Sequence, residues 1–134
     1  MLVLLSALLL LLAACAPVAG QELAGTSWVL QSLDGNTQVG EALRGQPVTI
    51  SFADETQVNG SSGCNGYGGS YESDTRDGSL LFSPLVSTLM ACQEDIMAVE
   101  QSFFAALQAA SGYEVSGNTL TITSNEYTLV FTRQ

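Results

Sequence analysis

Hydrophobic and polar positions alternate along much of this chain, and the alternation predicts strands. In PVTISFADET, Val48, Ile50 and Phe52 stand against Thr49, Ser51 and Ala53. A period of two is that of a half-buried strand, and ADET has turn composition. In GTSWVLQSLDG, Trp28, Leu30 and Ser32 alternate with Val29, Gln31 and Leu33, ahead of a turn at Asp34–Asn36. QVNGSSG reads as a weaker strand interrupted by glycine bulges. YGGSYES and SLLFSP flank DTRDG as the arms of a hairpin. The period then changes. Across CQEDIMAVEQSFFAALQAASG, Ile96, Val99, Phe103, Leu107 and Ala110 recur at spacings of three and four, the apolar stripe of one helix. Glu94 and Asp95 fall in its first turn, where negative charge suits the helix dipole, and Gly112 is the expected stop. Three strands follow, Tyr113–Ser116, Thr119–Thr123 and Tyr127–Thr132, joined by SGN and SNE turns. Antiparallel strands, a helix and a meander in that order make an α+β domain. No repeat of 20–50 residues is visible.

Composition divides the 134 residues into an export signal and one domain. Leu2–Ala14 is an apolar run with one Ser, too short for a span of roughly 20 residues and suited to the h-region of a secretory signal. It ends in Leu-Ala-Ala-Cys, which resembles the lipobox at which bacterial lipoproteins are cut and lipidated. No Lys or Arg precedes Cys15, a departure from the usual positive n-region. The expected organisation is a signal over 1–14, a lipidated tether over 15–24 and a domain over 25–134, anchored in the cell envelope. Ala16 in place of Asp after the Cys favours the periplasmic face of the outer membrane. With no Lys, three Arg and 13 acidic residues the net charge is −10, which excludes a nucleic-acid partner, since phosphate binding needs cations.

With Cys15 assigned to the anchor, Cys64 and Cys92 remain. Two cysteines in an exported chain are expected to pair. A zinc site lacks ligands, because the chain has no His, and neither Cys has a cationic neighbour in sequence to activate it as a nucleophile. No metal or other cofactor is expected. Glu72, Asp74 and Asp77 do not have the spacing of an EF-hand loop and read as a solvated hairpin tip. Glu100 stands one position beyond the apolar stripe, facing water or capping a buried backbone group. No catalytic residue is assigned.

Two motifs now resemble a known family. GCNGYGGSY supplies Gly63, Cys64, Asn65, Tyr67, Gly69 and Tyr71 to a Gly-Cys-Asn-x-aromatic-x-Gly-x-Tyr pattern. STLMACQEDIMAVEQSFFAAL supplies Thr88, Met90, Ala91 and Cys92, followed by Glu100, Phe103 and Leu107 on the helix. Together they resemble the META domain of HslJ-like heat-inducible bacterial envelope proteins, over about residues 23–133. The resemblance implies a curved, partly barrel-like antiparallel sheet packed on one α-helix. It also implies a role in envelope stress or drug tolerance without an established enzymatic activity. On the residues themselves, the motif glycines permit positive φ and close backbone approach, Asn65 can bond neighbouring backbone, and Tyr67 and Tyr71 are expected to flank the Cys64–Cys92 tie. The expected function is a non-catalytic envelope lipoprotein that binds another envelope protein or a small ligand. The alternative is an inhibitor or small-molecule-sequestering module that uses the curved sheet as a cup. A carboxylate-based enzyme comes last.

Overall fold

The computed structural model describes residues 21–37, 39 and 46–134. The signal segment and Cys15 lie outside them. The described strands are β1 (Thr26–Leu33), β2 (Thr49–Phe52), β3 (Gln57–Ser61), β4 (Gly66–Asp74), β5 (Ser79–Phe82), β6 (Val86–Ser87), β7 (Gly112–Ser116), β8 (Thr119–Thr123) and β9 (Thr128–Arg133), with helix α1 at Glu94–Ala109. They form one sheet in the order β3-β2-β1-β9-β8-β7-β5-β4-β6, in which β3 also pairs with β4. That last pairing closes eight strands into a barrel and leaves β6 alongside β4. The domain is therefore α+β, with the curved barrel-like sheet and the helix that the sequence predicts.

Alternation works as expected where strands are regular. Leu120 and Ile122 of β8, and Leu129 and Phe131 of β9, point inward and are at most 1% exposed. Two details differ from the sequence reading. In β1 the register to β9 shifts between Leu30 and Ser32, so Gln31 is an extra residue. The bulge reverses the phase, and Leu33 rather than Ser32 is buried. β3 was expected to carry glycine bulges, yet Gln57–Ser61 pairs with Ser70–Gly66 in unbroken register. Gly60 serves a different need. A Cβ there would lie 2.1 Å from the Thr49 carbonyl oxygen, which also accepts a hydrogen bond from the Tyr67 hydroxyl at 2.8 Å.

The interior of the barrel is filled by side chains, as the width of an eight-stranded barrel allows. Trp28, Ile50, Phe52, Tyr71, Leu80, Leu120, Ile122 and Phe131 are all at most 2% exposed. Helix α1 seals one end. Phe103 packs edge-on against Tyr67 of β4 at 5.7 Å and against Phe131 of β9 at 6.5 Å. Those strands are not neighbours in the sheet, so the ring bridges the mouth. Only the C-terminal half of the predicted stripe does this. Phe103, Leu107 and Ala110 are buried, while Ile96 and Val99 are partly exposed and Glu100 takes the inward position. Gly112 does not stop the helix. The helix ends at Ala109, the Ala110 N–H that follows donates to the Leu107 carbonyl, and Gly112 already opens β7. Residues 21–25 lie toward the other pole. There Leu23 is fully buried and the Gln21 carbonyl accepts a hydrogen bond from the Tyr113 hydroxyl at 2.8 Å.

The buried tyrosines give the fold a defined response to alkali. Burial pushes the Tyr71 phenol up from 10.0 to about 12, with Glu22 and Asp54 adding to the shift, and burial alone pushes Tyr67 up further. Both favour the neutral phenol when folded. Their contribution is complete below pH 10, where an unfolded tyrosine begins to ionise, and falls as pH rises through the folded values. Equilibrium unfolding by denaturant at fixed pH steps is expected to show a plateau up to about pH 10 and then a decline through pH 12. Tyr71→Phe should flatten that decline, and an equally steep decline in the variant would refute the assignment.

Candidate functional site

The motif residues converge on one corner at the N-terminal end of β4. Ser62 N–H donates to the Asn65 carbonyl at 2.8 Å, a tight turn that Gly63 permits with a φ of 101°. Among the motif glycines expected to need positive φ, Gly63 alone has it. A Cβ on Gly69 would lie 2.9 Å from Leu85 Cδ2, a methyl that would have to turn aside. The turn aims the Asn65 backbone and side chain toward α1, one and a half turns into which stands Glu100.

Glu100 is 6% exposed. Its Oε2 accepts from the Asn65 backbone N–H at 3.0 Å and from the Ser62 hydroxyl, and its Oε1 accepts from Asn65 Nδ2 at 2.8 Å. The carboxylate thus caps a buried backbone group, one of the two roles the sequence left open. Asn65, 2% exposed, then passes the interaction outward. Its Oδ1 accepts from the Met90 backbone N–H at 2.7 Å and from Thr88 Oγ1 at 2.8 Å, and its Nδ2 also donates to the Met90 carbonyl at 3.3 Å. One side-chain amide therefore replaces a strand partner for residues 88–90. Cys64 and Cys92 are joined by a disulfide across 28 residues, which ties the same loop at its far end, just before α1.

The tyrosines are placed differently from expectation. Tyr67 packs against Phe103 and Phe104, and Tyr71 lies further along the barrel, edge-on to Phe52 at 4.8 Å with its hydroxyl on the Asp54 carbonyl. They support the barrel wall, not the disulfide. Ser62 was missed by sequence reasoning. The signal was there in a Ser three residues before an Asn, the spacing of a side-chain-stabilised turn. At the hairpin tip, Asp74 turns to Arg76, whose hydrogen bonds hold the Asp74 carboxyl down at about 2. Among the described residues no group of three or more acidic or Cys side chains is arranged to hold a metal ion.

The corner uses its polar groups internally, since among the described residues every buried side-chain N and O atom has a partner. What it presents outward is apolar. Leu89 is 96% exposed, Val86 76% and Met90 57%. Between this segment and the helix runs an open groove of about 200 Å³, lined by Pro84, Leu85, Ser87, Phe104 and Gln108.

The family model of the META domain matches residues 21–134. Among solved structures, a protein from Burkholderia xenovorans determined by NMR is 30% identical, with a TM-score of 0.70 over 96% of this chain and 95% of that one. A second protein determined by NMR is 25% identical, with a TM-score of 0.63 over 82% and 90% of the two chains. A DUF4847 family protein from Bacteroides vulgatus shares the fold at 14% identity, with a TM-score of 0.62 over 82% and 93%. Comparison with curated proteins gives no match.

Proposed function

Because the chain belongs to the META domain family, we propose that it is a non-catalytic binding module of the bacterial cell envelope. In this reading it is anchored by a lipid on Cys15 and supports the cell under envelope stress or drug exposure by contacting another envelope protein. One observation carries it: Asn65, Glu100, Ser62 and the disulfide all act to fix a loop whose most exposed side chain is Leu89. The hold stabilises the domain, but the Leu89 side chain it presents buries nothing, and exposed apolar patches mark interaction surfaces. The small-molecule alternative is less well supported. The barrel interior is filled, and the groove beside the loop, about 200 Å³, falls short of the roughly 300–1,000 Å³ typical of ligand pockets, while the one of about 340 Å³ at the other pole lacks their apolar lining, being formed by Glu22, Glu55, Thr56, Ser73, Asp74 and Thr75.

The test is site-specific photo-cross-linking from position 89 in intact cells. A discrete adduct with one envelope protein is expected, absent when the cross-linker stands at exposed Glu114 instead. Fractionation of the same cells should find the protein in membranes and Cys15→Ser protein released or left uncut. Absence of any adduct specific to position 89, or a soluble wild-type protein without lipid, would refute the proposal.

A further inference from the structure

The loop Val86–Met90 runs within four residues into the first turn of α1, so exposed groups of two kinds follow one another along the chain. Met90 is four residues from Glu94 and five from Asp95, and both carboxylates are exposed. Between them the disulfide holds Cys92 to the corner, with its Cα 5.9 Å from that of Cys64. An exposed apolar ridge is thus bordered by negative charge. The helix N-terminus offsets about half a charge, which leaves the two carboxylates in excess. No cation of the described structure answers them. Arg76 is paired with Asp74 at the hairpin tip, Arg133 lies over the Trp28 ring at 4.3 Å, and the chain has no Lys.

We infer that this surface docks a cationic amphipathic polypeptide segment, whose apolar face covers Val86, Leu89 and Met90 and whose Lys or Arg side chains meet Glu94 and Asp95. The inference rests on the binding-module reading and gives its partner a chemistry. Two observations favour a polypeptide over a lipid surface, and a third favours binding itself. Phosphate headgroups would be repelled by the carboxylates and by a net charge of −10. The loop is also remote from the N-terminal segment. β6 and Thr88 pair with Tyr67, Gly68 and Gly66 at the start of β4, whereas Glu22 shares a groove with Ser73 and Asp74 at its end. Eight strand steps along β4 separate the two by roughly 26 Å, so the loop stands at the pole opposite the one where the N-terminal segment joins the barrel. Finally, the loop backbone is fixed at Thr88, Met90 and Cys92. A preorganised surface loses little freedom on binding.

The experiment uses the protein from Cys15 onward without lipid and a labelled synthetic Leu/Lys amphipathic peptide, read by fluorescence anisotropy. The Leu/Lys peptide is expected to bind, and its Leu/Glu counterpart not to bind. Leu89→Ser with Met90→Ser should weaken binding about tenfold or more, as loss of buried apolar contact implies. Glu94→Gln with Asp95→Asn should weaken it about threefold and remove most of its salt dependence, the size expected of exposed charge pairs. Leu89 and Met90 are exposed, so the thermal melt of the first variant should match the wild type, while the second should melt a few °C lower, the loss expected when two charges leave a helix N-terminus. Equal binding of the Leu/Glu peptide, or binding unaffected by either pair of substitutions, would overturn the inference. So would concentration-dependent self-association that Leu89→Ser abolishes, because the occupant would then be a second copy. If position 89 gives a specific cross-link in cells while the Leu/Lys peptide does not bind, the binding-module reading stands and the chemistry assigned to the partner is wrong.

Discussion

Glu100→Leu is expected to lower the stability of the domain by about 3–4 kcal/mol, although the substitution adds apolar surface at a buried position. The estimate follows the donors left behind. Ser62 can turn its hydroxyl hydrogen to the Asn65 carbonyl, 2.8 Å away, and one hydrogen of Asn65 Nδ2 keeps the Met90 carbonyl. The Asn65 backbone N–H and the second Nδ2 hydrogen have no such substitute, because both point at the lost carboxylate. Each buried donor without a partner costs about 1–3 kcal/mol. Glu100→Gln should cost less, about 1–2 kcal/mol, since it keeps one acceptor oxygen and loses one donor match. Urea unfolding of both variants reads the difference directly. A Leu variant as stable as the wild type would mean that the corner reorganises or admits water, and would remove Glu100 from the role assigned to it.

The Leu variant should also loosen what Asn65 holds. The amide of Asn65 is oriented by Glu100 on one side and grips Thr88 and Met90 on the other, so hydrogen exchange at the Met90 N–H should accelerate more than at Leu120 N–H in the barrel wall. That contrast separates a positioning role from general destabilisation, which would raise both through global unfolding.

How much of this could be read from the sequence depends on the range of the interaction. β8 was legible because Leu120 and Ile122 alternate with three threonines and nothing interrupts the period. The second half of α1 was legible for the same local reason. The barrel-like curvature came from the family resemblance and not from any local pattern, because the ring needs β1 to meet β9, with Trp28 opposite Arg133 some hundred residues later. No local pattern encodes a pairing of that span. The bulge at Gln31 hid behind alternation that continues across it in the letters but not in space. Glu100 stayed open between two roles for a chemical reason. A charged residue beside an apolar stripe reads as solvent-facing, and only the donors of Ser62 and Asn65, 38 and 35 residues away, make its burial favourable. The pairing of Cys64 with Cys92 needed no geometry, because a chain read as exported and lacking His leaves two cysteines few other uses.

Removal of that disulfide is the second large effect expected. Replacing Cys64 and Cys92 together by Ala frees a loop of 28 residues, for which chain entropy gives an upper value of roughly 3.6 kcal/mol. For a domain of this size each kcal/mol moves the melting point by about 3–6 °C, so a fall of about 10–20 °C is the expected scale. The loss acts mainly on the unfolded chain. In the folded protein Asn65 still grips Thr88 and Met90, so the double variant should fold to the same structure and keep its loop in place. Reductant should reach the bond from the exposed Cys92 side, since Cys64 is only 8% exposed. Adding Asn65→Ala to the double Ala variant removes the second hold on the same loop, and the protein should then lose the position-89 cross-link even where it remains folded. Thiol titration of envelope-isolated protein, denatured without reductant, should find Cys64 and Cys92 oxidised. Two free thiols there, or a double Ala variant that melts with the wild type, would show that the corner is held by its hydrogen bonds alone.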